Sequence, residues 1–346
     1  MNIRRLYLDR APGEDRAVVT LDGRPERLLI ARIDDPPDPP LGARYIARLA
    51  RIERSMSSAF LDLGGEGQAL LALTGPAKSL AEGASVEIEI AGEARRGKVA
   101  QGRLIGTAQG APRRLDAPLE LIERLRAFAP DTPVIEGAEA RERADDAEAA
   151  VVAVEHPLIG GGSLAIEPTR ALTAIDVDLG ARGGDARRAA RQANLTAIGE
   201  AARLLRLKGL GGLVVFDLVG EGHDGAALTE TARLAFAADG PGVSLGPVSR
   251  LGTFQLSLPR RMRPVAERLC DETGAVSVAT IALRLLRALE REGRADGGAR
   301  LLGRCAPPVA VAAGPYAAAL IQRLGPRFEI RAEPSLPVSR FEVTAS

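Results

Sequence analysis

The chain has 346 residues, with 46 lysines and arginines against 45 aspartates and glutamates, a net charge of +1. That balance excludes a histone-like polycation and leaves nucleic-acid binding only to local basic patches. The length predicts two or three domains, and 46% hydrophobic residues are enough for real cores. No apolar run has membrane-spanning length and none opens the N-terminus as a signal peptide would, so the reading is a cytoplasmic protein with no membrane partner. Cys270 and Cys305 are too few for a disulfide framework. With His156 and His223 the only histidines, no all-protein Cys/His zinc site can be assembled, so a metal must sit on oxygen.

Residues 1–33 read as two short strands around Asp22-Gly23, a hairpin pair. The run DDPPDPPLG at 34–42 is a connector, because proline removes backbone donors. From 43 to 107, YIARLARIE, SSAFLDLG, QALLAL, SVEIEIAG and KVAQGRLIG predict five short strands and a small closed barrel of the OB type. Signals are weakest over 108–158, where EARERADDAEAA predicts a solvated helix or a linker. SLAIEP and ALTAIDVD then read as strands and GARGGD as a loop. A helix runs from Asp185 to Lys208 on the spacing of Leu195, Ile198, Ala202 and Leu205. Glycines 209, 211 and 212 end it, and LVVFDLV reads as a continuous buried strand, which completes a βαβ unit. Over 276–346, a helix through Ile281, Leu285 and Leu289, a helix in PYAAALIQRLG and the run FEIRA predict a small α/β domain.

Strands joined by one helical crossover are normally parallel, so Asp176 and Asp217 reach the same carboxyl edge, where open α/β sheets place ligands. Two carboxylates about 5 Å apart repel by roughly 3 kcal/mol at an effective dielectric near 20 and call for a positive partner. Asp178 shares the face of Asp176 and adds a third oxygen. Such a set suits Mg²⁺ or Mn²⁺. The other reading, turn or cap aspartates, stays open at this point. GARGGDARR is either a phosphate-receiving helix entry, with Arg187, Arg188 and Arg191 in support, or a plain turn. Residues 182–208 carry a net charge of +5 and residues 249–268, with Arg250, Arg260, Arg261, Arg263 and Arg268, a net +4. Both patches favour a nucleic-acid backbone. Phe60 is a base-stacking platform or a core residue.

ALTAIDVDLGARGGD followed by NLTAIGEAARLLRLKGLGGLVVFDLV resembles the core signature of the ribonuclease E/G family. IARLARIERSMSSAFLDLGGEGQALLAL and EGASVEIEIAGEARRGKVAQ resemble its S1 domain, and VSRLGTFQLSLPRRMRP the segment after the catalytic core. TGAVSVATIALRLLRALE and PVAVAAGPYAAALIQRL are similar to its small domain. The stretch 108–158 has no counterpart in this resemblance.

The resemblance implies a mixed α/β fold with an RNase H-like and DNase I-like catalytic core, an inserted five-stranded OB-fold (S1) barrel and a small C-terminal α/β domain. Its implied divisions are N-terminal RNase H-like strands at 1–35, the S1 domain at 43–107, a shortened connection at 108–158, the catalytic subdomain at 159–258 and the small domain at 259–346. It implies an endoribonuclease that cuts single-stranded RNA by Mg²⁺-assisted hydrolysis, with Mn²⁺ as a substitute. The alternative is a family-derived RNA-binding protein without turnover. Asp176 and Asp217 fall on the metal-binding aspartates and Asp178 on a supporting asparagine. Phe60, Lys98, Arg182, Arg187, Arg188 and Arg250 form the RNA-binding set, and Leu70 stands where a second aromatic is expected. Cys270 survives from a zinc-linking cysteine pair with Glu267 in place of the other, so no zinc is expected and a homodimer would not use a zinc link. No 5′-monophosphate sensor pocket or scaffold tail is recognisable.

Overall fold

The computed structural model describes residues 3–35, 38–65, 67–180 and 185–346. Contacts divide the chain into two units, Met1–Asp35 with Glu120–Glu148 and Val265–Ser346, and Pro36–Leu119 with Ala149–Pro264. No described helix is long and apolar enough to cross a membrane.

The first unit opens with three strands where two were expected: Arg4–Ala11, Glu14–Leu21 and Arg24–Arg32. The overlooked corner is Pro12-Gly13, where proline presets one turn position and Gly13 takes a φ of +83°. The expected corner is present, with φ of +50° at Asp22 and +79° at Gly23, the two positive values of a tight hairpin turn. Val134–Glu136 adds a fourth strand, parallel to the first. Over 138–152 a helix forms, and it is not merely solvated: Ala140, Ala144, Ala147 and Val151 are buried. Their spacings of four, three and four make one face, which small side chains hide from a hydropathy reading. The helix Val278–Ala295 buries Ile281, Leu285 and Leu289 as expected, in a core shared with Leu301, Val309 and Leu320. Strand Leu301–Cys305 there lies between Phe328–Ala332 and Phe341–Ala345.

A charge network runs through this unit. The Arg16 side chain is fully buried, with Asp9 at 2.7 Å and Glu148 and Asp145 each at 2.8 Å. Burial pushes the Asp9 carboxyl up, but the guanidiniums of Arg16, Arg141 and Arg287 together outweigh it and hold the carboxyl below its usual range. Arg287, also buried, pairs with Glu14.

In the second unit, strands Arg44–Glu53, Ser58–Asp62, Gln68–Ala72, Ser85–Gly92 and Ala100–Thr107 close into the expected five-stranded, OB-like barrel. Every second residue of Ser85–Gly92 is buried, and Tyr45, Leu49, Leu61, Leu71, Ile88 and Ile90 fill the interior. A separate six-stranded sheet runs in the order Glu155–Pro157, Ser163–Pro168, Thr173–Asp178, Gly212–Asp217, Thr253–Leu258, Ser244–Leu245. Gly212–Asp217 is not buried on both faces as LVVFDLV suggested. Val214 and Phe216 are fully buried while Leu213 is 41% exposed, because only one face of the sheet is covered.

Behind this sheet, Lys208 Nζ donates to the carbonyls of Ala150, Val151 and Ala153 at 3.0, 2.8 and 2.6 Å, closing the end of the helix Ala138–Val152. Burial lowers its pKa to about 8. The buried His156 is held down to about 4, first by desolvation and then by the Lys208 charge, against Glu200, which raises it. A histidine kept neutral in the fold and titrating near 6.5 when unfolded leaves stability intact above that pH. Stability is lost as pH falls toward 4, by at most about 3 kcal/mol. Urea unfolding between pH 7 and 4.5 should show this acid-side loss, and His156→Leu should flatten it. An unchanged slope in that variant would contradict the assignment.

Candidate active site

The strands Thr173–Asp178 and Gly212–Asp217 pair in parallel, and the helix Ala186–Lys208 joins them. The helix begins where Asp185 Oδ1 accepts from Arg188 N at 2.7 Å and ends at Gly209, whose φ is +67°. Leucines and alanines on its inner side pack on the neighbouring strands, so sheet and crossover form one body. Asp176 and Asp217 are direct register partners. On both strands the aspartates occupy the exposed face while Ile175, Val177, Val214 and Phe216 occupy the buried one. The two carboxylates are thus neighbours on one face, and among the described residues neither has a hydrogen bond or an ion pair. Open-face register extends the row on either side as Glu155, Ala165, Asp176, Asp217, Thr253.

Asp178 is exposed on the same face but spends Oδ1 on its own turn, accepting from Gly180 N at 2.6 Å. No group of three or more His, Cys, Asp or Glu converges on one point among the described residues. The structure therefore brings together the pair and leaves Asp178 beside it.

Beyond Asp217 the chain is clamped. Asn194, buried in the crossover helix, donates from its amide to Val219 O at 2.9 Å and accepts from Val219 N at 3.1 Å. Two cavities open at this edge. One of about 420 Å³ is lined by Arg187, Arg191, Asn194, Glu221, His223 and Asp224, with Arg191 paired to Asp224 at 3.0 Å. The other, about 870 Å³, is lined by His223, Thr229, Ser249, Arg250 and Leu251 among others. His223 borders both, and sequence reasoning missed it. Its signal was a histidine in the glycine-rich run GEGHDG six residues after the strand-end aspartate. Gly252 makes room for it: a Cβ there would stand 3.2 Å from His223 Nε2, and its φ is +80°.

The basic patches resolve unevenly. Arg187, Arg188 and Arg250 are exposed, with no carboxylate partner among the described residues. Arg182 lies outside the described residues. Arg191 is exposed but paired to Asp224, and the rest of the +5 segment faces inward, with Arg203 on Glu200, Arg206 on Asp239 at 2.9 Å and Lys208 on carbonyls. In the +4 segment, Arg260 and Arg261 donate to the carbonyls of Gly211 and Asp239, Arg263 pairs with Asp38, and Arg268 with Asp35. Of that group, Arg250 has neither a carboxylate nor a carbonyl partner among the described residues. On the barrel, Phe60 is half-buried, with the Arg51 guanidinium 4.6 Å from its ring centroid. Leu70 is its register partner on the next strand. Lys98 is exposed at a backbone bridge with Arg95.

Residues 118–261 match the model of the Ribonuclease E/G family. The match starts inside 108–158, so residues 118–158, which had no counterpart in the resemblance, match the family model as well. The chain is 35% identical to Ribonuclease E of Escherichia coli (strain K12) over 146 residues, 39% of this chain and 14% of that protein. It is 29% identical to Ribonuclease G of Salmonella typhimurium (strain SL1344) over 202 residues, 54% of this chain and 41% of that protein. The Ribonuclease E/G-like protein, chloroplastic, of Arabidopsis thaliana is 32% identical over 122 residues, 34% of this chain and 12% of that protein. Each alignment spans less than half of the relative's length. The matched residues, 118–261, carry the aspartate pair, the crossover helix and the lining of both cavities, so the part of the chain that holds the candidate site is the part similar to the ribonuclease E/G family.

Proposed function

We propose that the protein is an endoribonuclease that hydrolyses single-stranded RNA at the open face around Asp176 and Asp217, in RNA processing or turnover. The observation that carries the reading is the register pairing of two exposed carboxylates that have no partner among the described residues. The donor set fits Mg²⁺, which takes oxygen ligands and is usually held by one or two carboxylates, with water and substrate phosphate completing the shell. Mn²⁺ fits the same set. Bound there, the ion would neutralise phosphate charge and acidify a water. Asp176 and Asp217 hold it, with the second oxygen of Asp178 in reserve. Arg187, Arg188 and Arg250 draw the RNA backbone to the carboxyl edge, offsetting the repulsion between phosphates and carboxylates. In the same reading the barrel is an S1 RNA-binding module, and the strands at 1–35 belong to an RNase H-like subdomain.

Purified protein given a short labelled single-stranded RNA should produce internal cuts with Mg²⁺ and none with chelator, and the same sequence as a duplex should resist. Binding without cutting at any Mg²⁺ or Mn²⁺ concentration would replace this reading with the RNA-binding one, which Leu70 in the place of an aromatic favours. Phe60 gives a separate check. Stacking is worth about 1–3 kcal/mol per base, so Phe60→Ala should weaken RNA binding about 5- to 150-fold. Arg51 covers part of the ring, which points to the lower end of that range. Unchanged affinity in a titration would remove Phe60 from the interface.

A further inference from the structure

Only two aromatic rings of the second unit reach solvent. Of its phenylalanines, tyrosines and histidines, Tyr45, His156, Phe216, Phe236 and Phe254 are buried, while Phe60 and His223 are half-buried. Phe60 belongs to the barrel. His223 stands at the carboxyl edge of the six-stranded sheet, in the run that follows Asp217, and borders both cavities there.

The loop that carries this ring is tied down at both ends. Before it, Leu218 N donates to Gly252 O at 3.1 Å, and Val219 is gripped by both ends of the Asn194 amide. After it, Asp224 Oδ1 accepts from Ala227 N at 3.1 Å, which caps the helix Gly225–Ala235, and Asp224 Oδ2 accepts from Arg191 at 3.0 Å. A ring placed before its ligand arrives loses little freedom on binding. Space beside it comes from glycines: Gly220, Gly222, Gly225 and Gly252 all line the larger cavity. A Cβ on Gly252 would stand 3.2 Å from His223 Nε2, and one on Gly222 would stand 3.3 Å from Arg187 Nη2. The two glycines thus let the ring and the guanidinium sit where they do.

At about 870 Å³ the larger cavity lies within the range of small-ligand clefts, roughly 300–1,000 Å³. Leu218, Val248 and Leu251 give it apolar walls, Arg250 is its one lysine or arginine, and Glu221 its one carboxylate. Apolar walls beside a single guanidinium match a flat base joined to one phosphate, and a histidine ring is a surface on which unpaired bases stack. We propose that this cavity receives one nucleotide of the RNA, its base stacked on His223 and its phosphate on Arg250. Glu221, which only accepts, keeps the phosphate to the Arg250 side. The inference rests on the nuclease reading for the choice of RNA as ligand, and it adds a second base platform, at the cutting edge, to the one on the barrel.

The test is fluorescence anisotropy in chelator at fixed salt, with a short labelled single-stranded RNA and an abasic chain of the same length that keeps every ribose and phosphate. Loss of the ring in His223→Ala should weaken RNA binding about fivefold or more and change binding of the abasic chain by less than about twofold. His223→Phe, which keeps a ring, should bind RNA within about twofold of wild type. His223→Gln, polar but without a ring, should be as weak as the alanine variant. Arg250→Gln should weaken both chains, because its contact is to phosphate. A folded His223→Ala protein with wild-type RNA affinity overturns the proposal, and so does an equal loss on both chains. Gln that binds like wild type while Phe does not would make the contact a hydrogen bond and overturn it too. Displacement of the RNA by adenosine monophosphate near the RNA's own Kd would make the cavity a pocket for a free nucleotide, with the same result. The nuclease reading is judged separately by adding Mg²⁺. If His223→Ala shows the base-dependent loss while wild type cuts no RNA, the platform stands and the nuclease falls. If wild type cuts RNA and His223→Ala binds as wild type does, only the platform falls.

Discussion

Asn in place of either Asp176 or Asp217 will reduce RNA cleavage on the order of 10²-fold or more, and the double variant will lose little beyond that. Two carboxylates that hold one cation act as a unit, so removing the second after the first removes an interaction already broken. RNA binding will survive both changes. Each removes a negative charge from a surface that receives phosphates, so affinity measured without metal will stay level or rise slightly. Asp178→Asn will leave cleavage intact or improve it. Its Oδ1 accepts from Gly180 N, and an asparagine carbonyl oxygen can accept the same bond while lowering the negative charge beside the pair. The measurement is cleavage rate against Mg²⁺ concentration for wild type and the four variants, with folding checked by circular dichroism. Wild-type rates in Asp217→Asn would remove the site from this strand pair.

The largest expected effect on stability lies elsewhere. Arg16→Met will destabilise the protein by about 3–5 kcal/mol, the usual cost of breaking a buried ion pair from one side. The loss comes mostly from what stays behind. Asp9 and Glu148 are each almost completely buried, and without the guanidinium they face a dry interior with less compensation. Arg141 and Arg284 still reach them, at 3.1 and 2.7 Å, which argues for the lower half of the range. Arg10→Met is the control. Its partner Asp15 is half-solvated, and an exposed pair contributes at most about 1 kcal/mol. Urea unfolding followed by circular dichroism measures both variants, and equal losses would contradict the special role of burial.

The barrel, the crossover helix with both of its ends, and the pairing of the two strands were legible in the residues, because each rests on local chemistry. Alternating side chains on SVEIEIAG, Asp185 at a helix start and Gly209 at its stop act within a few residues of themselves. A parallel βαβ unit then brings Asp176 beside Asp217, whichever way the rest of the chain folds. The corner at Pro12-Gly13 was also local, a turn pair flanked by the charged residues Asp9, Arg10, Glu14, Asp15 and Arg16, and it was overlooked rather than absent.

What the sequence could not decide depends on atoms distant along the chain. Net charge over a segment counts Arg203, Arg206, Arg260, Arg261 and Arg263 as available. Only folding turns each toward a carboxylate or a carbonyl and leaves Arg187, Arg188 and Arg250 outside. His223 became a cavity wall because Gly252 lies against it, 29 residues later in the chain. The face of Gly212–Asp217 that meets solvent, and with it the placing of Thr253 beside Asp217, was set by where the crossover helix packs and how the strand Thr253–Leu258 registers. Period and capping are written into neighbouring residues, so the sequence by itself determined the elements and the aspartate pair. Burial and partner choice arise when separate elements exclude water together, so only the tertiary structure decided which charges remain free to act.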